Sequence, residues 1–268
     1  MKLICPICGE ELSRGEREYA CKMRHSFDIA RQGYVNLLTV QQKKSLHPGD
    51  TREQVLSRRA FLDADYYRPI ADALCETAKE LGAEGPILDV GCGEGYYCTR
   101  LAKALNAELT GLDISKEAVR VAAGKYKDAA WLCATAAHIP VPDHSVKTLT
   151  SLFALTLPEE FSRVLADDGY YFQVLAAQDH LLGLKSIIYP ELLLKEKDSI
   201  PELPGFELVK SVPIRFEFTV EGEQVQNLLS MTPHVYRISK EGAARLAATE
   251  KLTDTASAVL NVYRKNKE

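Results

Sequence analysis

No stretch of this sequence approaches the roughly 20 consecutive apolar residues that a membrane-crossing helix requires. The opening Met1-Lys2-Leu3-Ile4-Cys5-Pro6 is too short an apolar stretch for a secretory signal. Both absences point to the cytoplasm. There is no internal repeat and no low-complexity tract, so repeat arrays and disordered chains drop out. Positive charge is not in excess: 33 Lys and Arg stand against 37 Asp and Glu, a net −4. That excludes a polycation that coats nucleic acid by charge alone. The seven cysteines form no even framework, which argues against a secreted disulfide scaffold. What remains is a globular composition, 46% hydrophobic and 26% charged, in a chain of 268 residues. That length serves one large domain or two unequal ones, with a core that needs no covalent staples.

The charge is unevenly spread. Residues 1–63 hold 11 Lys and Arg against 8 Asp and Glu, so any phosphate contact is expected to begin there. An ordinary solvated surface explains an excess of three equally well. Three cysteines fall before residue 25, and residues 1–36 read as a compact Cys/His module with short strands. Residues 37–84 read as a polar, then helical, linker region. Thr51-Arg52-Glu53-Gln54 has the form of a capping box opening a helix, and a second helix is expected from Pro69 to Leu81. From residue 85 to 268 the period changes. Strands at 86–90, 108–113, 130–134 and 146–152 alternate with helices at 96–105 and 115–126. Asp167-Asp168-Gly169 reads as a turn before a strand at 170–175, and 176–204 as mixed, partly helical chain. Two strands at 206–211 and 213–219 and a helix at 221–230 follow. Such alternation predicts an α/β fold with a doubly wound, mostly parallel sheet covered on both faces.

The sharpest chemical signal is Leu88-Asp89-Val90-Gly91-Cys92-Gly93-Glu94-Gly95. A strand that ends in a glycine-rich turn and opens a helix brings backbone N–H groups close to a ligand. The spacing Gly-x-Gly-x-Gly is not the Gly-x-Gly-x-x-Gly of dinucleotide binders, so a nicotinamide dehydrogenase is disfavoured. An acidic residue just ahead of the glycines, Asp89, suits S-adenosylmethionine, whose amino group is a cation. Asp113, at the tip of the next strand, is placed to accept both ribose hydroxyls. This pattern resembles the class I (Rossmann-like) methyltransferases, which implies adenine contacts from the Ala134–His138 stretch around Ala136 and makes Ile114 a further cofactor-binding residue.

A second signal is Cys5-x2-Cys8-x12-Cys21-x3-His25. Zinc takes four nitrogen and sulfur ligands in a tetrahedron, and two close pairs across a hairpin supply them. Free thiols or a redox Cys-x-x-Cys pair are the alternative, but a redox pair needs neither Cys21 nor His25. Four protein ligands close the site, so it reads as structural. The other cysteines are scattered singly.

Taken together, the chain resembles the bacterial 23S rRNA guanine-N1 methyltransferases of RlmA type, which include the tylosin-resistance methyltransferase. The resemblance is carried by the zinc pattern, Phe27-Asp28, Gly33-Tyr34-Val35-Asn36-Leu37-Leu38, Pro48-Gly49-Asp50, Arg58-Arg59-Ala60-Phe61-Leu62-Asp63, Tyr67, Gly91-Cys92-Gly93-Glu94-Gly95-Tyr96-Tyr97, His180-Leu181 with Leu184-Lys185, and Met231-Thr232-Pro233. It implies that Tyr67, Gly93, Glu94 and His180 line the cofactor. It also implies that the zinc module helps grip an rRNA hairpin, and that the protein is a homodimer. On their own, Tyr67 reads as a buried aromatic and His180 as a surface histidine.

The sequence departs from the family on the substrate side. Phe153-Ala154-Leu155-Thr156 stands where an aromatic-Ala-Pro stretch is usual. Ala166-Asp167-Asp168-Gly169 replaces a Lys-Pro-Gly-Gly turn. Ala176-Ala177-Gln178-Asp179 replaces a Pro-Gly before the histidine. Phe153, Tyr96 and Tyr97 are candidate base stackers, with core aromatics the alternative for Tyr97. His180 and Asp179 are candidate proton acceptors by position. Lys22, Arg24, Arg31, Lys43, Lys44, Arg58 and Arg59 are candidate phosphate contacts. A small-molecule methyltransferase with a zinc cap, and a catalytically impaired RNA-binding homologue, stay open as alternatives.

Overall fold

The computed structural model describes residues 1–43, 45–46, 48–192 and 198–266. Lys44, a candidate phosphate contact, lies outside the described residues.

Four short strands, β1 (Leu3–Ile4), β2 (Glu11–Arg14), β3 (Glu18–Ala20) and β4 (Ser26–Asp28), form an antiparallel sheet in sequential order. The next strand, β5 (Val35–Asn36), leaves that sheet and pairs parallel to β8 (Ala130–Cys133) at the edge of a second, eight-stranded sheet. There β6 (Ile87–Val90), β7 (Leu109–Asp113), β8, β9 (Val146–Leu152) and β10 (Leu165–Ala176) run parallel. Then β11 (Phe206–Glu221) and β12 (Lys251–Lys265) close the other edge antiparallel, giving the order β11-β12-β10-β9-β6-β7-β8-β5. The expected doubly wound, mostly parallel sheet is thus present.

The helices obey the local signals. In α1 (Arg52–Asp63) the Thr51 hydroxyl accepts the Gln54 N–H at 3.3 Å, and the Gln54 side chain accepts the Thr51 N–H at 3.0 Å. Helix α2 (Arg68–Glu80) has Pro69 at its start, where a missing N–H costs nothing, and buries Ile70, Ala71, Leu74 and Ala78. Helix α3 (Tyr96–Leu105) follows the glycine turn, and α4 (Lys116–Lys125) is capped by Ser115, whose hydroxyl accepts the Ala118 N–H. Helices α5 (Pro158–Val164), α6 (Leu182–Ile188), α7 (Glu223–Ser230) and α8 (Lys240–Ala247) complete the set.

Several expectations are revised. The Asp167-Asp168-Gly169 turn lies inside β10, as an irregularity where the β9–β10 register shifts between Leu165 and Tyr170. The two strands expected at 206–211 and 213–219 are one strand, β11, with a bulge between Leu208 and Lys210. Pro213 is tolerated within it because β11 is an edge strand.

Burial follows the pleat. Ile87 enters the core on one face of the sheet, while Leu88 and Val90 enter the core on the other. Leu3, Cys5, Leu12 and Cys21 of the small sheet belong to the same core as Leu88, so the small module packs on the large sheet rather than hanging from a linker. An Ile4 N–H to Pro140 carbonyl bond of 3.0 Å joins the two.

The antiparallel hairpin has a consequence for the site. Ala176, the end of β10, pairs with Ala258, whereas β11 and β12 stay paired out to Glu221 and Lys251. Residues 251–257 of β12 therefore overhang the carboxyl edge of the sheet by roughly 23 Å, at about 3.3 Å per residue.

Candidate active site and zinc centre

The chain reverses its direction of strand addition between β6 and β9, and ligands of such sheets bind at the carboxyl ends there. The glycine turn sits at that point. Gly91, Gly93 and Gly95 all have positive φ (79°, 55° and 88°), which L side chains rarely adopt. Their surroundings differ. A Cβ on Gly95 would lie 2.6 Å from Cη2 of Trp131, and one on Gly91 would lie 2.6 Å from the Ala154 Cβ. A Cβ on Gly93 would meet nothing within 4 Å. The open side of the cradle is therefore Gly93, while Gly95 is glycine to admit the tryptophan.

Three carboxylates surround this turn. Asp113 accepts the Gly93 N–H at 2.9 Å and the Ser115 N–H at 2.7 Å, tying the turn to the tip of β7. Asp89 is buried and accepts the Thr150 hydroxyl at 2.6 Å, and burial pushes its carboxyl up to about 6. Glu94 is 2% exposed, yet neither of its carboxylate oxygens has a hydrogen-bond partner among the described residues. Burial pushes it up to about 7, against the pull of Lys125. A buried carboxylate without a donor is costly unless something supplies one. The open cradle at Gly93 and the orphaned Glu94 fit a ligand that brings a cation and hydroxyl donors, as S-adenosylmethionine does.

Ile114, half-buried, follows Asp113, and the Ala134 N–H bonds the Asp113 carbonyl at 3.1 Å. That bond sets the loop carrying Ala136 beside the tip of β7. Over the same tip lies the Pro48-Gly49-Asp50 segment. A Cβ on Gly49 would come within 2.8 Å of Ser115, and the Ser115 hydroxyl donates to the Asp50 carbonyl at 2.7 Å. Arg58 is ion-paired to Asp50 and donates to the Met231 carbonyl at 3.3 Å. Sequence alone offered no reason to join positions 50, 58, 115 and 231.

Tyr67 and His180 do meet. Tyr67 is 2% exposed and wrapped edge-on by Phe61, Phe216 and Phe218. Its hydroxyl lies 3.4 Å from Nε2 of His180. Burial raises the Tyr67 hydroxyl far above its ordinary value, so it stays protonated. The His180 Nδ1 accepts the Ser257 N–H at 3.1 Å, which assigns the proton of the neutral ring to Nε2. Phe153 stacks on His180 with ring centroids 6.0 Å apart and 28° between planes. Phe153 has φ 53° and is 40% exposed, so an aromatic face is presented beside the glycine turn. Asp179 is turned away toward Arg215 at 3.2 Å, and the Ser257 hydroxyl and Arg215 hold it below the usual carboxylate range.

Sequence reading missed Asp254. It is buried on the overhang of β12 and accepts the N–H groups of Gly183 and Leu184 at 2.9 and 2.7 Å, capping α6 just after His180. The β-branched and aromatic run Val259-Leu260-Asn261-Val262-Tyr263 was the available sign of β12 itself.

In the small module, ligand atoms of Cys5, Cys8, Cys21 and His25 all lie within 4.8 Å of one another. The Cys8 and Cys21 sulfurs are 3.7 Å apart, and His25 Nδ1 is 3.5 Å from the sulfurs of both Cys5 and Cys21. A tetrahedral zinc with bonds of about 2.3 Å to sulfur and 2.0–2.1 Å to nitrogen requires about 3.8 and 3.5 Å for these separations. The knuckle is turned by Gly9 (φ 75°), whose N–H bonds the Cys5 carbonyl at 2.9 Å. A cleft of about 800 Å³ separates this knuckle from the methyltransferase-like sheet, with Ile7, Thr39, Gln42, His138, Glu160 and Arg163 in its walls.

Of the cations expected to meet phosphate, Lys22 is paired with Glu10, Arg58 with Asp50 and Arg59 with Asp63.

The fold and site define a class I S-adenosylmethionine-dependent methyltransferase with a zinc ribbon. A family profile for a methyltransferase domain matches residues 87–169, and one described as "RlmA, N-terminal", a zinc ribbon, matches residues 3–46. The 23S rRNA (guanine(748)-N(1))-methyltransferase of Streptomyces fradiae is 32% identical, over 92% of this chain and 90% of that one. A Micromonospora griseorubida protein, named provisionally as a 23S rRNA (guanine-N(1)-)-methyltransferase, is 34% identical over 98% of this chain and 97% of its own length. Among solved structures, a provisionally named type II methyltransferase from Anaeromyxobacter dehalogenans shares the fold at a TM-score of 0.52 and 18% identity, covering 72% of this chain and 95% of that one. The chain belongs to the RlmA-type 23S rRNA (guanine-N1)-methyltransferase family, and its cofactors are S-adenosylmethionine and zinc.

Proposed function

We propose that this protein methylates N1 of a guanine in a hairpin loop of 23S rRNA, working in the cytoplasm as a homodimer. The observation that carries the reading is the aromatic mouth at the glycine turn. Phe153 holds a left-handed backbone, stacks on His180, and keeps an exposed face next to Ala154, which itself touches Gly91. An exposed aromatic fixed beside the cofactor cradle suits an unpaired base, because A-form helices hide base edges and loops offer them.

S-adenosylmethionine supplies an activated methyl group, so the protein contributes position and field. Asp113 and the Gly93 backbone orient the ribose side, and Asp89 and Glu94 receive the cationic end. Tyr67, held by three phenylalanines, and His180, held by Ser257, fix the wall opposite the turn. Guanine N1 carries a proton that must leave. Both ring nitrogens of His180 are engaged, Nδ1 by Ser257 and Nε2 facing Tyr67, which leaves no lone pair for that proton. Asp179 is a poor acceptor because Ser257 and Arg215 stabilise its ionised form. The proton therefore passes to water, and His180 acts by position. The zinc ribbon and the cleft beneath it contact RNA away from the target base.

The test is incubation of zinc-loaded protein with radiolabelled S-adenosylmethionine and unmodified 23S rRNA, with the product mapped by primer extension. A reverse-transcription stop at one loop guanine is expected. Cofactor binding without incorporation would replace this reading with the small-molecule or impaired-homologue alternative. Light scattering at working concentration tests the dimer.

A further inference from the structure

Of the Met231-Thr232-Pro233 motif, only the Met231 carbonyl, which holds Arg58, enters the site described above. It opens a short 3-10 turn, Pro233–Tyr236, within the insertion that joins β11 to β12. Because β11 and β12 overhang the sheet, that insertion stands at the same edge as the cofactor cradle. It is fastened there from two sides. Arg58 of α1 holds the Met231 carbonyl, and the Tyr236 hydroxyl donates to the Gln54 side chain at 2.8 Å. Helix α8 presses on the end of α6 so closely that a Cβ on Gly242 would lie 2.2 Å from the Ile188 carbonyl oxygen.

What the turn presents is aromatic and cationic. Tyr236 is 70% exposed, and its ring has no aromatic neighbour among the described residues. His234 Nδ1 lies 2.8 Å from the Tyr189 hydroxyl, just past α6. Lys185 of α6 and Arg237 both act on this imidazole, and burial together with these two cations lowers its proton affinity. Lys185 and Arg237 thus both bear on His234 from separate elements, and the ring keeps its bond to Tyr189. Arg237 is exposed and has no ion-pair partner among the described residues. The nearby acid Glu241 is drawn instead to the start of its own helix, to Ser239 and to Arg245.

We propose that the Tyr236–Arg237 turn, with Lys185, is an RNA-binding rim that takes a phosphate and stacks a flanking base of the same loop whose guanine enters the mouth at Phe153. This rests on the RNA reading of the site. The chain path supports the geometry: α6, which carries Lys185, begins two residues after His180. An exposed tyrosine with a cation beside it is the pairing that single-stranded RNA uses, the ring for a base and the charge for the backbone.

The experiment is filter binding of the zinc-loaded full-length protein to unmodified 23S rRNA over a range of salt concentrations. Arg237→Gln is expected to flatten the slope of log Kd against log salt by about 0.7, the effect of one phosphate contact on single-stranded RNA. Tyr236→Ala is expected to weaken binding roughly tenfold or more with the slope little changed. Tyr236→Phe loses the bond to Gln54 but keeps the ring, so it should bind like the parent. The control, Lys103→Gln, lies in the last turn of α3 at the opposite edge of the sheet and should change nothing. S-adenosylmethionine affinity and melting temperature identify any variant that has merely unfolded. Parental affinity and slope in both Arg237→Gln and Tyr236→Ala would overturn the proposal, as would equal losses in Tyr236→Phe and Tyr236→Ala. Absence of rRNA binding by the parent protein would remove the function reading itself, a distinct result.

Discussion

The Tyr67 hydroxyl and His180 Nε2 stand 3.4 Å apart across 113 residues of chain, one from the N-cap of α2 and one from the loop after β10. Ser257, on the overhang of β12, fixes the tautomer that makes this contact a donor–acceptor pair. Tyr67→Phe and His180→Gln should each slow single-turnover methylation by roughly tenfold, the scale of one positioned hydrogen bond in an enclosed site. The double variant should be little worse than the poorer single one, because both remove the same contact. Losses that multiply would show that the two residues act separately.

Asp254 should matter at a distance. Asp254→Ala removes the acceptor for Gly183 and Leu184 and leaves the start of α6 uncapped, at a cost of about 1–2 kcal/mol. Since α6 begins just past His180, methylation should fall more than the affinity for S-adenosylmethionine. Asp254→Asn keeps one acceptor and should fall between. Equal cofactor affinity and equal turnover in Asp254→Ala and the parent would disprove the link.

Glu94 makes stability depend on pH. Its carboxyl is pushed from an ordinary 4.5 up to about 7 by burial, so the folded state favours the protonated form. Below pH 4.5 folded and unfolded chains both carry the proton. Between pH 4.5 and about 7 the folded chain holds it longer, so stability falls as pH rises, by on the order of 3 kcal/mol in total, and is flat above. Glu94→Gln should therefore melt higher than the parent at pH 8, by roughly 5 °C, and close to it at pH 5. A similar fall between 3.8 and about 6 belongs to Asp89 and should persist in the variant. A Glu94→Gln protein that melts lower than the parent at pH 8 would contradict the orphaned carboxylate. Its affinity for S-adenosylmethionine should drop.

The glycines should separate by function. Gly95→Ala forces a Cβ to 2.6 Å from Trp131 at φ 88° and should cost about 2–4 kcal/mol of stability. Gly93→Ala meets no protein atom and should cost about 1–2 kcal/mol for its φ alone, yet lose most cofactor affinity because the new methyl enters the open side of the cradle. Thermal melts and calorimetric titration of both proteins distinguish the cases. A Gly93→Ala variant that binds cofactor normally would move the ligand elsewhere.

Zinc should hold the small module and not the sheet. Cys21→Ser, or a chelator, should release the metal and unfold residues around Leu3 and Leu12, since such sites contribute an apparent 10–16 kcal/mol to modules of this size. Affinity for S-adenosylmethionine should stay within about threefold while rRNA binding collapses. Loss of cofactor binding together with zinc would show that the packing of Cys5 and Leu3 against the core of Leu88 is needed by the whole fold.

Much of this molecule was legible in one dimension. The glycine turn, Asp113 at the next strand tip, the Cys/His spacing and the Thr51 capping box are local patterns, and each depends on residues within one or two elements. Local patterns are set by backbone sterics and short hydrogen bonds, which composition and spacing report directly. The parallel strands were found for the same reason, being short, apolar and bounded by turns.

Long-range placement was not written there. Spacing could not show that Val35–Asn36 leaves one sheet to edge another, that β12 threads between β10 and β11, or that its overhang supplies Ser257 to His180 and Asp254 to α6. Nor could composition reveal that Arg58 and Arg59 are ion-paired to Asp50 and Asp63 while Arg237 has no ion-pair partner among the described residues. The strand placements and the contacts of Ser257 and Asp254 join segments far apart in the chain, decided by which faces can be buried together. The sequence by itself determined the chemistry available, a methyl donor's cradle and a zinc knot. The tertiary structure decided which side chains face that cradle, because packing of the overhanging hairpin brings Tyr67, Phe153 and His180 to one edge.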